Sequence, residues 1–399
     1  MTIEARVERD AEAGPATGSR PGVSYAMVGG GKGAFIGSVH RKAIAMDGMA
    51  RLIAACFSKN LENTLETGAS LGMDRDRLYT DHAAMIRAEA KRDDRPDFIV
   101  IVTPNAYHFP IARLALEHGF NVVSDKPLAT SSADARKLEA LAKRKGLLFG
   151  VTYTYTGYPM VRHMREMVAA GELGDIRFVA AEYPQDWLAT PLERTGQKQA
   201  AWRTDPALAG ISNCVGDIGS HIENLVSYVT GLEIRSLLAR LDRFGEGRKL
   251  DDNASILVEY KGGAKGLYWS SQVAVGSDNG LRIRVYGSRA SLEWCQEDPN
   301  YCLVGRLGAP TMRLSRGRDD LHPTAQKMIR LPSGHPEGYF EAFANIYSSF
   351  IAAVGKKKAG QALTPGDLDF PDVADGVRGV RFIERAVESS RRGSVWVRF

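Results

Sequence analysis

The short apolar run Val23–Val28 drops straight into Gly29-Gly30-Gly31-Lys32-Gly33, and a helical stretch with Ala43 and Met46 on one face follows Gly37. A glycine-rich turn between a first strand and a first helix lets backbone N–H groups approach a pyrophosphate at the helix N-terminus. The glycines that carry this reading are Gly29, Gly31 and Gly37, spaced more widely than a strict G-x-G-x-x-G. A tight turn without a ligand is the plainer alternative. What favours the nucleotide is position, since the turn opens a long alternation of strands and helices.

That alternation runs to about residue 150. Strands are predicted at Arg51–Phe57, Phe98–Val102 and Asn121–Val123, and a helix over about Ala106–His118 stops at Gly119. A further helix spans Asp134–Lys145, with Ser131 or Ser132 as its N-cap. Lys143-Arg144-Lys145 and Lys356-Lys357-Lys358 sit where cations complement a helix C-terminus. The pattern predicts a doubly wound parallel sheet, an α/β class. Past Gly150 the character changes. Met160, Met164 and Met167 recur at helical spacing, a core pattern. From Arg235 the period becomes two, with Ala254, Ile256, Val258 and Tyr260 alternating with other residues before a hairpin turn at 261–264. Leu267, Trp269 and Ser271 follow on the return strand, and Leu281, Ile283 and Val285 alternate with arginines. One solvated face explains that alternation. The expected division is a tail over 1–21, a nucleotide-binding domain over 22–150, and an α+β domain with a large open antiparallel sheet over 151–399. The tail reads as mobile and lacks the apolar core of a signal peptide.

Composition limits the partners. The chain has 399 residues, 44% of them apolar and 25% charged, so it is not a disordered or fibrous chain. A formal net charge of +5, dispersed along the sequence, gives no footprint for nucleic acid. No apolar stretch is long enough to span a membrane. Cys56, Cys214, Cys295 and Cys302 show no C-x-x-C spacing, and a reducing cytoplasm suits them.

Chemistry-bearing residues fall at strand ends. The second strand ends in Ser58-Lys59, where an acid would ordinarily hold the adenine ribose. Without a carboxylate a 2′-phosphate meets no repulsion and Lys59 can pair with it, which favours NADP over NAD. A plain surface Ser-Lys is the alternative. Lys126, at the end of a parallel strand, lies where ligands bind such sheets. Asp217 and His221 are four apart and share a helix face. A carboxylate and an imidazole so placed suit hydroxyl deprotonation, but taken alone the pair reads first as a structural hydrogen bond or half of a metal site.

The Gly31-to-His40 segment, Thr103-Pro104-Asn105 with His108, Asp125-Lys126-Pro127, and Gly216-Asp217 with His221 occur in one order along the chain. By these motifs the chain resembles the Gfo/Idh/MocA family (glucose–fructose oxidoreductase, inositol dehydrogenase, rhizopine catabolism) from about residue 23 onward. It departs in its longer glycine loop and in Asp125, where Glu is usual. The resemblance implies an NAD(P)-dependent oxidoreductase that interconverts a secondary hydroxyl and a ketone on a sugar, glycoside or cyclitol. It implies His221 as general base, Asp217 as the group that orients the substrate and tunes the histidine, and Lys126 as the group that polarises the reacting oxygen. Thr103, Pro104, Asn105, His108 and Asp125 would line the cofactor. Tyr153, Tyr155 and Tyr158, with Trp202 and Arg203, are candidates for the substrate side. No metal is expected, since the nicotinamide carries the hydride. A homodimer or homotetramer through the open sheet is implied, with its apolar face suggested by Tyr260, Trp269 and Val285. A cofactor-sensing protein without turnover, or an oxidoreductase for a non-sugar carbonyl, are the rival readings.

Overall fold

The computed structural model describes residues 22–399, so the expected tail lies outside the described residues. Two compact units divide them: one takes the chain up to Thr152 together with Phe343–Val377, the other Tyr153–Ala342 together with Arg378–Phe399.

In the first unit, β1 (Val23–Gly29), β2 (Ala50–Cys56), β3 (Phe98–Val102), β4 (Asn121–Ser124) and β5 (Phe149–Val151) pair in parallel in the order β2-β1-β3-β4-β5. Every residue of β3 is buried, as a central strand covered on both faces requires. The helix Ser132–Lys145 begins on Ser131, whose hydroxyl accepts the Asp134 N–H, and ends in left-handed Gly146 after its three cations. The segment 343–377 completes this unit, so a contiguous division at residue 150 does not describe it. Backbone at 371–372 bonds to β5 and closes that sheet edge, with Val151 N–H donating to the Pro371 carbonyl at 2.8 Å. Phe350 stands edge-on between Phe98 and Phe370.

The second unit is built on β6 (Ile176–Pro184), β7 (Ile234–Asp242), β8 (Asn253–Tyr260), β9 (Lys265–Ser271), β10 (Arg282–Gly287), β11 (Ala290–Cys295), β12 (Tyr301–Arg306), β13 (Met312–Ser315) and β14 (Val397–Arg398). Among the described residues these form one sheet in the order β13-β12-β11-β10-β6-β9-β8-β7-β14. All pairs are antiparallel except β6 with β9. One face joins Met160, Met164 and Met167 and the helix Ser220–Thr230 in the core. Tyr260 and Val285 belong to this core face, not to the open one. Trp269 does lie on the opposite face, where it pairs with Ser255 and Glu182. The apolar residues beside it are Phe178, Leu257, Leu267 and Tyr286, all exposed. Period-two patterning separates the two faces of a strand but does not say which face is covered, and the return strand buries Tyr268 rather than Trp269. No described helix is long and apolar enough to cross a membrane.

The helix Phe35–Met46 is anchored within the first unit by His40, which is fully buried. Its ring packs on Phe343 and Tyr347, and the Tyr347 hydroxyl lies 2.6 Å from Nδ1. Burial pushes the Tyr347 phenol well above its ordinary value, so it stays a neutral hydroxyl beside the imidazole. Burial also pulls His40 down to about 4, against the partial opposition of Asp125. The neutral ring is therefore the folded form, whereas the unfolded chain takes up a proton below pH ~6.5. Stability contributed by the neutral ring is full above pH ~6.5 and is lost progressively as pH falls towards 4. At pH 5 the loss is about 2 kcal/mol relative to pH 8. Denaturant unfolding of the wild type and His40→Gln at both pH values should show a pH slope smaller by about this amount in the variant; parallel slopes would disprove the assignment.

Candidate active site

Four of the sequence motifs occupy the carboxyl ends of neighbouring parallel strands. Gly29 ends β1, Ser58-Lys59 follows β2, Thr103-Pro104-Asn105 follows β3, and Asp125-Lys126-Pro127 follows β4. The sheet order reverses between β1 and β3, which places the glycine turn and Thr103 at the switch point where doubly wound sheets take ligands.

The glycines are fixed by contact. Gly29 has φ +88°, and a Cβ there would meet the Val102 carbonyl oxygen at 2.8 Å. A Cβ on Gly31 would meet Asn63 Oδ1 at 2.3 Å, and one on Gly37 would meet the Gly30 Cα at 2.2 Å. Gly30, which the sequence reading passed over, is thus as necessary as its neighbours. The Lys32 backbone is held by the helix Leu61–Ser70, its N–H donating to Thr67 Oγ1 and its carbonyl accepting from Asn63 Nδ2, both at 3.0 Å. Ala34 gives the helix Phe35–Met46 no side-chain cap, so its first N–H groups are left for an anion. Thr103 Oγ1 is buried and has no hydrogen-bond partner among the described residues. An uncapped helix end over a close glycine contact, beside an orphaned hydroxyl, fits a dinucleotide.

Around this turn the other residues divide into those that face outward and those that hold the frame. Thr64 Oγ1 bonds both the N–H and the carbonyl of Ser58, and the Ser58 hydroxyl accepts from Asn60 N–H at 3.1 Å. Lys59 Nζ lies 5.1 Å over the Tyr107 ring. Asn105 is buried. His108 is fully buried, its ring nitrogens meeting the carbonyl oxygens of Pro127 at 2.7 Å and Thr103 at 2.8 Å. It ties the turns after β3 and β4 together instead of presenting its ring to a ligand. Asp125 Oδ1 accepts from Thr152 Oγ1 at 3.0 Å and from the Lys126 N–H at 2.8 Å, while its Oδ2 stands 3.9 Å from His40 Nε2.

In the second unit, Asp217 lies in a π turn, Val215–Gly219, that runs directly into the helix carrying His221. Such insertions recur at functional sites because they re-aim side chains within a helix. Asp217 Oδ2 accepts from Arg203 Nε at 3.2 Å and Gln272 Nε2 at 3.0 Å. The Arg203 guanidinium rests on the Trp202 ring at 4.2 Å. His221, buried, meets Tyr155 edge-on at 4.7 Å between ring centroids and Tyr153 at 5.7 Å. The Tyr155 hydroxyl bonds that of Tyr183, which donates to Asn279 Oδ1 at 2.6 Å. Burial raises both phenols, Tyr155 to about 12, so they remain hydrogen-bond donors. Among the described residues no cluster of three or more His, Cys, Asp or Glu could hold a metal.

Residues 23–153 match the family model described as oxidoreductase family, NAD-binding Rossmann fold, and residues 161–293 match the GFO/IDH/MocA C-terminal domain. The chain belongs to the Gfo/Idh/MocA oxidoreductase family. An uncharacterized oxidoreductase of Bacillus subtilis (strain 168) is 38% identical over 96% of this chain and 98% of its own length. A crystal structure of an inositol dehydrogenase homolog complexed with NAD+ from Azotobacter vinelandii is 40% identical, with TM-score 0.91 over 94% of this chain and 97% of that one. The levoglucosan dehydrogenase of Pseudarthrobacter phenanthrenivorans is 26% identical over 76% of this chain and 80% of its own.

Within this Gfo/Idh/MocA chain, the sequence-predicted tyrosines divide by role. Tyr153 and Tyr155 flank His221, whereas Tyr158 packs on Trp294 and accepts a long bond from Gln296. Arg203 reaches Asp217 itself, while Trp202 lies under the Arg203 guanidinium and donates its indole N–H to Gln199 Oε1 at 3.2 Å. Tyr183, Asn279 and Gln272 were missed by sequence reasoning. Each lies in or just beyond a strand of the second sheet with no motif around it, so only the pairing of β6 with β9 and β10 brings them near His221 and Asp217.

Proposed function

We propose that the chain is an NAD(P)-dependent oxidoreductase that interconverts a secondary hydroxyl and a ketone on a sugar, glycoside or cyclitol. The observation that carries this reading is the π turn and helix that present Asp217 and His221 from one continuous segment, inside a rim of aromatic residues and amides. Aromatic faces with hydrogen-bonding tips suit a polyhydroxylated ring. The Azotobacter homolog is also described in complex with NADH and myo-inositol, at 40% identity, which supports the same substrate class.

In this reading Gly29, Gly31 and Gly37 and the uncapped helix end hold the cofactor's phosphates, and Thr103, Pro104 and Asn105 line it. A bound nicotinamide supplies the hydride acceptor. In oxidation, His221 takes the hydroxyl proton as the carbon gives up its hydride, and Lys126 stabilises the developing ketone oxygen by donating to it. Asp217 accepts from the substrate and fixes its orientation, with Arg203 and Trp202 beside it. Reduction runs the same steps in reverse, with His221 as the acid.

Removing either His221 or Lys126 with alanine should lower kcat by about 10²–10⁴-fold while cofactor affinity stays close to that of the wild type. Steady-state reduction of NAD+ and NADP+ by a sugar and cyclitol panel measures this. Full activity in both variants would reject the mechanism, and tight cofactor binding without turnover of any polyol would favour a sensor.

Cofactor choice rests on Ser58 and Lys59, where no carboxylate stands against a 2′-phosphate, and we assign the preference to NADP. Ser58→Asp should then shift the ratio of dissociation constants towards NAD, by repelling the phosphate and accepting from ribose hydroxyls. An unchanged ratio would remove Ser58 from the ribose.

For assembly, the exposed Phe178, Leu257, Leu267 and Tyr286 on one sheet face point to burial against a second copy, giving a homodimer or homotetramer. Light scattering at micromolar concentration should give a multiple of the chain mass; a monomer would refute it.

A further inference from the structure

Gln272 follows β9 and is fully buried, and its polar side chain joins two elements distant in sequence. Its Nε2 donates to Asp217 Oδ2 at 3.0 Å, and its Oε1 accepts from Asn213 Nδ2 at 2.8 Å. The orientation of the amide follows from the carboxylate, since an amide oxygen turned towards Oδ2 would meet only lone pairs. Its backbone is held on both sides, the N–H donating to the Asp252 carbonyl at 2.8 Å and the carbonyl accepting from Leu188 N–H at 2.9 Å. Asn213 is fixed in turn. The Asp251 carboxylate accepts the N–H groups of Asn213 and Val215 and the hydroxyl of Ser212, each at 3.0 Å, and the Asn213 carbonyl accepts from Asp217 N–H at 2.7 Å. The same buried carboxylate therefore braces both the start of the π turn and the residue that orients Gln272.

We propose that Gln272 is a positioning residue that holds Asp217 as an oriented anion for the substrate. The inference rests on the role given above to Asp217. Arg203 faces the same oxygen, Tyr155, Tyr183 and Cys214 lie within its electrostatic reach, and His221 follows four residues on. Gln272 is the neutral donor of the set that can be replaced by an acid of nearly equal shape.

Gln272→Glu sets a second carboxylate against Asp217, so the pair must share a proton. The acid limb of the kcat/KM profile should move up by about one pH unit or more. Gln272→Met removes the donor without adding an acid, and should lower kcat about tenfold with the cofactor dissociation constant unchanged. A Gln272→Glu profile that superimposes on the wild type, or losses in both variants that merely follow a fall in Tm, would overturn the proposal. The ¹³C titration of the Asp217 carboxyl, assigned with Asp217→Asn, reads the same effect without turnover. If no polyol is oxidised, the proposed function fails, yet a raised Asp217 titration in Gln272→Glu still upholds the positioning role and an unmoved one rejects it. Should Gln272→Glu not fold, the same titration in Gln272→Met must also rise, since a donor to the carboxylate has gone; no rise rejects it.

Discussion

The contact of Gly37 with Gly30 governs the first unit. Neither residue has room for a side chain, because a Cβ on Gly37 would stand 2.2 Å from the Gly30 Cα. Backbone against backbone is what brings an uncapped helix end up to the edge of β1. The rest of that edge is arranged around this approach: Asn63 and Thr67 hold the Lys32 backbone, and His108 bridges the turns after β3 and β4. These turns are braced by polar groups, Thr67 and His108 buried and Asn63 half-buried, whose partners are backbone atoms. Such bracing fixes position without placing a further charge at the edge.

The second unit meets a different demand. Its sheet must cover one face with helices while carrying polar chemistry at the end of a core helix. The π turn does this by letting Asp217 leave the regular helical path just before the helix of His221 begins. That irregularity is stabilised from outside, by the Asp251 carboxylate and its three hydrogen bonds. A buried anion with several donors is a rigid device, since loss of any one donor leaves it under-satisfied.

Much of this was legible in the sequence. The parallel strands are continuous apolar runs because both faces are covered, and β1 and β3 begin where such runs predict. A cap at Ser131 or Ser132 was readable from their place before a helical run, with Ser131 filling it, and Met160, Met164 and Met167 were readable as core from their spacing. Asp217 and His221 were visible as a pair, but not the π turn that carries Asp217, because no residue type encodes it. Tyr260 and Trp269 were assigned to one face, while cross-strand pairing sets them on opposite ones. Gln272 had no signature at all: an isolated amide takes its meaning from partners that the fold supplies, one of them Asn213 across 59 positions.

The return of residues 343–377 to the first unit bears on how this chain is made. His40 and Tyr347 are separated by 307 positions, yet their hydrogen bond anchors the helix that starts at the glycine turn. A ribosome delivers the strands up to Thr152 long before the segment that closes β5 and packs on Phe98. The nucleotide-binding half therefore waits, with its last sheet edge open, while the whole of Tyr153–Ala342 is synthesised. Its strands are made before that long stretch and its closing segment after it.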